Sequence, residues 1–314
     1  MELMHTPVMT EEVLEHLGPR SGRVYLDGTV GSGGHAAAIL DRSAPAGKVV
    51  GLDADAESLR IAQQRLASYG DRVVLVHARY EEARRVLADL GYGRVEGVLL
   101  DLGISRVQLE APERGFSFDR EGPLDMRMDR TTGRTAGQLL ASLSENEMVC
   151  LFKRFGEERW ARRIARGIVR RRETHGNLST TRELARTIVE SVPRRSGGST
   201  RIHPATRVFQ ALRIAVNREL DALEAFLQEL PDLLEKGGRF CVISFHSLED
   251  RLVKEAMQRW ERGCRCPADR ALSCSCHGEP LLRRVRRKAL RPSPAEVERN
   301  PLSRSARLRI AERV

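Results

Sequence analysis

Lysine is scarce in this chain of 314 residues. Only Lys48, Lys153, Lys236, Lys254 and Lys288 appear among its 53 Lys and Arg, so Arg supplies 48. Aromatic residues are also few, at 4%, which leaves little material for surfaces that stack planar groups. Long apolar runs are missing: none approaches the roughly 18 residues that a membrane-spanning helix needs, and such a helix is excluded. The first 18 residues carry Glu2, Glu11, Glu12 and Glu15, the wrong charge for a secretory signal. Internal repeats and low-complexity tracts are absent. The expectation is a cytoplasmic chain with no membrane partner.

Apolar side chains make up 41% of the sequence and charged ones 31%. That mixture is ordinary for a globular protein and excludes collagen-like or disordered chains, because enough apolar surface exists to offset chain entropy. The length suits one large domain or two smaller ones. The charge balance is basic, with a formal net charge of +10. Arginine presents a planar fork that grips phosphate bidentately and stacks on bases. A GC-rich genome would produce much of the Arg-over-Lys choice, but it does not produce clustering. Residues 159–172 hold seven Arg and no acid, and Arg283, Arg284, Arg286, Arg287, Lys288 and Arg291 form a second cluster. Such clusters are the footprint of a polyanion partner. A solvated helix face is the alternative for either cluster alone.

The first hundred residues alternate short apolar runs with helical patterns. Val24-Tyr25-Leu26, Val49-Val50-Gly51-Leu52-Asp53, residues 73–76 and residues 95–102 read as strands. Helical spacing fills 36–40, 56–69 and 81–90. The strands are continuous apolar runs, as in a parallel sheet covered on both faces. The alternation predicts a doubly wound α/β domain. The rhythm stops near Glu113, and no core strand is predicted before Pro204. Within that stretch Ala161, Ile164, Ala165, Ile168 and Val169 form an apolar stripe opposite Arg162, Arg163, Arg166 and Arg170. Residues 208–234 then read as helix, 239–245 as a buried strand, and 305–313 as a last strand. The expected organisation is an α/β domain over 1–112 and 205–314, interrupted by a helical insertion over 113–204.

The run Asp27-Gly28-Thr29-Val30-Gly31-Ser32-Gly33-Gly34-His35 follows the first strand and opens a helix. Such a turn lets backbone approach a ligand and aims helix N–H groups at it. Asp53 closes the second strand, where an acid can accept hydrogen bonds from both hydroxyls of a ribose. Capping of the next helix is its alternative role, although Asp55 is available for that. Two cofactors suit such a pocket, a nicotinamide dinucleotide and S-adenosylmethionine. The glycine spacing departs from the G-x-G-x-x-G pattern that accommodates a pyrophosphate, and it is closer to the acidic-Gly-x-Gly-x-Gly turn of class I methyltransferases. Asp101 ends the fourth strand at the carboxyl edge of the sheet, where transfer chemistry would sit.

Longer motifs carry a resemblance. They include His5-Thr6-Pro7-Val8-Met9, Leu100-Asp101-Leu102-Gly103 and Glu113-Arg114-Gly115-Phe116-Ser117-Phe118. Gly122-Pro123-Leu124-Asp125-Met126-Arg127-Met128-Asp129, Phe155-Gly156-Glu157-Glu158 and His203-Pro204-Ala205-Thr206-Arg207 follow. Ser244-Phe245-His246-Ser247-Leu248-Glu249-Asp250-Arg251 and the closing Leu308-Arg309-Ile310-Ala311-Glu312-Arg313 complete the set. From end to end the chain resembles the ribosomal RNA small subunit methyltransferase H family, also called MraW. The resemblance implies a class I S-adenosylmethionine-dependent methyltransferase fold with an inserted helical domain that recognises RNA. It also implies methylation of N4 of a cytidine in the decoding region of 16S rRNA, within the 30S subunit.

Carried over by position, cofactor contacts fall on Gly33, Gly34, His35, Asp53, Tyr80, Asp101 and Gln108. Asp101 and Ser105 are the catalytic candidates, with the Gly103 carbonyl beside them. After Gly103 the family reads Val-Ser-Ser-Pro-Gln, whereas this chain has Ile104-Ser105-Arg106-Val107-Gln108, which puts the loop conformation and the Gln108 contact in question. A non-catalytic RNA-binding assembly factor that keeps the cofactor fold is the alternative function, and a homodimer is an open possibility.

His203 and His246 are candidates to hydrogen-bond a cytosine, with a buried structural role as the alternative for each. Trp160, Phe116 and Phe118 could stack bases or belong to the core. Cys264, Cys266, Cys274 and Cys276, followed by His277, could bind zinc, although two C-x-C pairs are less typical than wider spacings. Reduced, inert thiols are the favoured alternative, and a cytosolic setting argues against disulfides. Cys150 and Cys241 sit in apolar runs and are expected in the core.

Overall fold

The apolar runs become seven strands of one sheet in a computed structural model that describes residues 7–193, 203–263 and 278–314. They are β1 (Val24–Asp27), β2 (Lys48–Asp53), β3 (Val73–His77), β4 (Val95–Asp101), β5 (Leu234–Ser244), β6 (Leu282–Arg284) and β7 (Arg307–Arg313). Their order is β3-β2-β1-β4-β5-β7-β6. The first five are parallel, and β7 runs antiparallel to β5 and β6. The expected doubly wound, mostly parallel sheet is therefore present. Strand β6 was not expected, since three residues carry too little pattern to read.

Alternation along each strand sends its side chains to two cores. Leu26, Val50, Val98 and Phe240 enter one, and Tyr25, Val49, Leu99 and Cys241 enter the other. The first core is covered by α4 (Ala83–Asp89), α11 (Glu219–Leu233) and α12 (Ser247–Glu261), through residues such as Val86, Phe226, Leu230, Val253 and Trp260. The second is covered by α1 (Thr10–Leu17), α2 (Gly34–Arg42) and α3 (Ala56–Arg65), through Val13, Leu17, Ile39 and Leu59.

The chain divides into two compact units, one formed by residues 1–103 and 220–314, the other by 104–219. The second holds α5 (Arg106–Glu110), α6 (Ala136–Ser142), α7 (Glu145–Gly156), α8 (Ala161–His175), α9 (Thr181–Ser191) and α10 (Thr206–Asn217). Its core contains Leu140, Phe152, Ile164, Ile168, Leu184, Ile188, Val208 and Leu212. Among its described residues the β pairing is one isolated bridge, Pro123 to Thr180.

This unit is wider than the expected 113–204. Helix α10 packs on α6 and α7, and Asn217 accepts from the Met128 N–H at 2.7 Å and donates to the Met126 carbonyl at 2.8 Å. At the other end, Arg120 donates to the Glu110 carbonyl at 2.9 Å, tying residues before 113 to the same unit. The helix expected over 208–234 is two helices, parted where Arg218 takes a left-handed conformation with φ 51°. Cys241 is buried as expected, and burial pushes its thiol up to about 12. Cys150 is instead exposed, because the helical period of α7 turns it away from Met148, Val149 and Phe152. No helix of the described residues is long and apolar enough to cross a membrane.

One buried charge cluster closes the sheet domain. Asp250 on α12 accepts from Arg307 at 2.7 Å and from Arg309 at 2.7 and 3.2 Å, both on β7. Burial alone would raise its carboxyl, but the hydrogen bonds from Arg309 and Arg307 hold it below the ordinary carboxylate value. Asp250→Asn should cost about 3 kcal/mol, the scale for breaking a buried ion pair, read as a lower denaturation midpoint in urea. The depressed value puts this stabilisation above the unfolded-state value, so the difference from wild type should shrink as pH falls below about 4.

Candidate active site

Three adjacent parallel strands, β2, β1 and β4, each end in an aspartate. Asp27 on β1 lies in register with Gly51 and Leu99, so Asp53 and Asp101 each stand two residues further along their strands. The edge lies at the carboxyl ends of the strands, where the order reverses between β1 and β4, the position at which open α/β sheets bind ligands.

Residues 28–33 connect β1 to α2 and are hydrogen-bonded to both neighbouring strands. Toward β4, the Gly28 N–H donates to the Leu99 carbonyl at 2.9 Å, and the Asp101 N–H donates to Thr29 Oγ1 at 2.6 Å. Toward β2, the Val30 N–H donates to the Leu52 carbonyl at 2.8 Å, and the Gly31 N–H donates to Asp53 Oδ2 at 2.8 Å. Asp53 Oδ1 accepts from the Asp55 N–H at 2.8 Å. Each Asp53 oxygen thus accepts one backbone N–H, and a carboxylate oxygen has capacity for a second donor. Asp55 caps α3 by accepting from the Glu57 N–H at 3.0 Å, so Asp53 is not needed for the cap.

Gly28 is required by close approach, since a Cβ there would lie 2.5 Å from Leu100 Cδ2 and 3.1 Å from Tyr80 Cβ. Gly33 has φ 83°, which favours glycine. Gly33 and Gly34 also have a packing role: a Cβ on Gly33 would meet Leu66 at 3.1 Å, and one on Gly34 would meet Pro7 at 2.4 Å. Tyr80 follows β3 and packs edge-on against Phe226, with ring centroids 5.7 Å apart.

Buried polar atoms converge at this edge. Asp27 is 1% exposed and His35 6%. Asp27 Oδ2, both ring nitrogens of His35 and Asp101 Oδ1 have no hydrogen-bond partner among the described residues. His35 Nε2 lies 3.6 Å from Asp101 Oδ2. Desolvation raises the Asp27 carboxyl to about 7, opposed by His35 and by the Thr29 N–H, and assisted by the nearby Asp101 and Asp53 charges. Desolvation likewise raises Asp53 to about 6, against the hydrogen bonds from the Asp55 and Gly31 N–H groups. Buried polar groups are ordinarily paired, so these orphaned atoms mark a place built for a polar ligand. Asp27 lies outside the site residues expected from the sequence, and its place as a third strand-terminal acid is the signal that marks it.

Ser105 and Gln108 belong to the helical unit. Ser105 caps α5 and accepts from the Gln108 N–H at 3.2 Å, while Gln108 Oε1 accepts from the Ser105 N–H at 3.0 Å. Arg106 and Val107 occupy the two helical positions between them, so the departure from the family loop leaves both capping residues in place.

Other candidates carry structural duties. His246 caps α12, and its Nε2 lies 3.0 Å from Glu249 Oε1. His203 is exposed and stacks on Phe118 at 4.6 Å, and Phe116 is buried at 7% exposure. Cys264, Cys266, Cys274, Cys276 and His277 lie outside the described residues.

Comparison with known proteins gives one consistent result. The model of the MraW methylase family matches residues 2–314. A ribosomal RNA small subunit methyltransferase H of Syntrophobacter fumaroxidans is 51% identical over 311 residues, covering 99% of this chain and 97% of its own. The protein of that name from Geobacter sulfurreducens is 48% identical over 314 residues, with 100% of both chains covered. That of Symbiobacterium thermophilum is 49% identical over 312 residues, covering 98% of this chain and 96% of its own.

The electrostatics of the edge yield a stability test. Asp27 is raised from 3.8 to about 7, so between those values the folded state holds a proton that the unfolded state releases. Stability therefore falls as pH rises through that window, and the penalty is complete above about 7. Asp27→Asn, which keeps an acceptor for the Thr29 N–H, should melt about 3 °C or more above wild type at pH 8 and within error of it at pH 4. A variant that melts below wild type at pH 8 would contradict this account.

Proposed function

This chain belongs to the MraW methylase family, and from that premise we infer that it transfers a methyl group from S-adenosylmethionine to small-subunit ribosomal RNA. The observation that carries the reading is the row of three strand-terminal aspartates, with orphaned buried atoms on Asp27, His35 and Asp101, in a chain that matches its family throughout. We propose the N4 amine of a cytidine in the decoding region of 16S rRNA as the acceptor, and the 30S subunit in the cytoplasm as the setting.

S-adenosylmethionine supplies an electrophilic methyl group on a sulfonium. The residues present suit it. Asp53 has the remaining lone pairs to accept two ribose hydroxyls. Gly33 caps α2 and Gly34 opens it, so the first turn of that helix, from Gly34, presents the helix start to an anionic carboxylate. Asp27, His35 and Asp101 offer acceptors for an ammonium group, and Tyr80 offers a ring edge beside a purine. Gln108 completes the set of proposed contacts.

The exocyclic amine of cytosine is a weak nucleophile, because its lone pair is delocalised into the ring. It gains strength as its N–H bond is drawn toward an acceptor while nitrogen pyramidalises. Asp101 is the proposed acceptor, with the Gly103 carbonyl as the other candidate. Ser105 Oγ already accepts from Gln108 and keeps its own proton to donate to the base. Because positive charge disappears during transfer, the edge needs acceptors in fixed orientation more than it needs strong negative charge. The hydrogen bond from the Asp101 N–H to Thr29 provides part of that orientation.

Labelled methyl transfer to 30S subunits from a strain lacking the enzyme, followed by nuclease digestion and mass spectrometry, should place label on N4 of one cytidine. Asp101→Ala should slow transfer by about 10²-fold or more at saturating donor. Wild type that binds S-adenosylmethionine yet transfers nothing would leave the assembly-factor function instead. In a separate thermal-shift assay, S-adenosylmethionine but not NAD should raise the melting temperature. Asp53→Ala should weaken that response about tenfold or more in apparent affinity, the scale of one lost charge-assisted hydrogen bond.

A further inference from the structure

The arginine cluster of residues 159–172 divides when its partners are traced. Arg172 donates to the carbonyls of Leu140, Ala141 and Leu143 at 2.6, 3.2 and 2.8 Å, closing the C-terminal end of α6. Arg171 pairs with Glu183 at 3.1 Å. The other five, Arg159, Arg162, Arg163, Arg166 and Arg170, are exposed. Only Arg166 among them has a carboxylate within ion-pair distance among the described residues, Glu145 at 3.8 Å.

These five line an open groove of about 850 Å³ on α8 and α9. The helices touch midway along it, where a Cβ on Gly167 would lie 2.0 Å from Ser191 Oγ. The acid among the lining residues is Glu190, which Arg186 already holds at 2.8 Å. At one end the Arg159 and Arg163 guanidinium groups each lie 5.0 Å from the centre of the Trp160 ring. That ring anchors two cations and packs partly against the unit's core, so of the two roles open to Trp160 it takes the core one and offers no open stacking face.

Like charges four residues apart on a helix are destabilising, and this helix carries them at 162, 166 and 170. An arrangement that costs helix stability, with Glu145 at 3.8 Å from Arg166 as its one offsetting carboxylate among the described residues, points to a partner that brings the missing charge. Arg162, Arg166 and Arg170 rise about 6 Å per step along the helix axis, close to the step between successive phosphates of a nucleic-acid strand. An acidic protein would need an apolar centre to bury, whereas Trp160 is the one large apolar side chain of the groove and is engaged by arginines. Nucleic-acid interfaces are polar and strongly positive, as this one is.

We propose that this groove grips the sugar–phosphate backbone of the RNA substrate. Arg162, Arg166 and Arg170 contact phosphates along one line, and Trp160 is a positioning residue that holds Arg159 and Arg163 for the same task. The proposal rests on the rRNA reading and deepens it, since phosphate contacts fix register without reading sequence.

The test is fluorescence anisotropy of the full-length protein with a labelled single-stranded oligoribonucleotide across a salt series. Arg162→Ala/Arg170→Ala should bind about tenfold more weakly at low salt. Its plot of log affinity against log salt should be shallower by about 1.4, at about 0.7 per lost phosphate contact. Arg60→Ala/Arg84→Ala, which removes the same charge from the sheet domain, should leave the slope as in wild type. Trp160→Leu, assayed well below its melting temperature, should weaken binding several-fold, and Trp160→Phe should restore it. An unmoved slope in the groove variant, an equal change in the control variant, or displacement of the RNA by an equal charge of poly-glutamate would each overturn the proposal. Methyl transfer by wild type is scored separately. Label on rRNA with an unmoved slope sinks the groove alone, whereas a moved slope with no label sinks the functional reading and keeps the groove as an RNA site.

Discussion

The turn after β1 cannot be altered without disturbing three strands at once. Its backbone donates to Leu99 on β4 and to Leu52 on β2, and its side chains and those of the neighbouring strands exchange the remaining hydrogen bonds through Thr29, Asp53 and Asp101. These bonds fix the three strand-terminal carboxylates relative to one another, because each carboxylate is attached to a strand that the turn also holds. Parallel strands alone would set only the spacing of the backbone. The turn decides where the acids stand along the edge.

That arrangement is electrostatically expensive. Asp27 and Asp53 are both pushed upward, first by desolvation. Asp101 adds to the effect on Asp27, and His35 opposes it. A protein that collects acids around orphaned buried atoms keeps a local instability which a cationic, hydrogen-bonding ligand relieves. The same logic separates this edge from Asp250, where two arginines from β7 satisfy the carboxylate and leave nothing for a ligand to do.

Arginine serves two purposes in this chain, and partners distinguish them. Arg172 closes a helix end, Arg213 pairs bidentately with Glu219 at 2.8 Å to each oxygen, and Arg309 holds Asp250. These are structural uses of a planar donor fork that satisfies several acceptors at once. The outer face of α8 has no comparable duties, and its charge is directed at solvent. A count of basic residues treats the two populations alike, although only the second is available to a polyanion.

What the sequence alone determined is local. The apolar runs and the glycine-rich turn are legible because their causes lie within a few residues of their effects. Asp53 and Asp101 could be nominated for the same reason, each closing a strand that the pattern already showed. Only the tertiary structure decided which unit α10 joins, that Gly33 and Gly34 pack against Leu66 and Pro7, that Cys150 faces outward, and which arginines have acids. Those outcomes depend on distances between residues far apart in the chain, such as Asn217 and Met126 or Asp250 and Arg309. No periodicity carries such distances, because they are set by which faces the folded chain brings together.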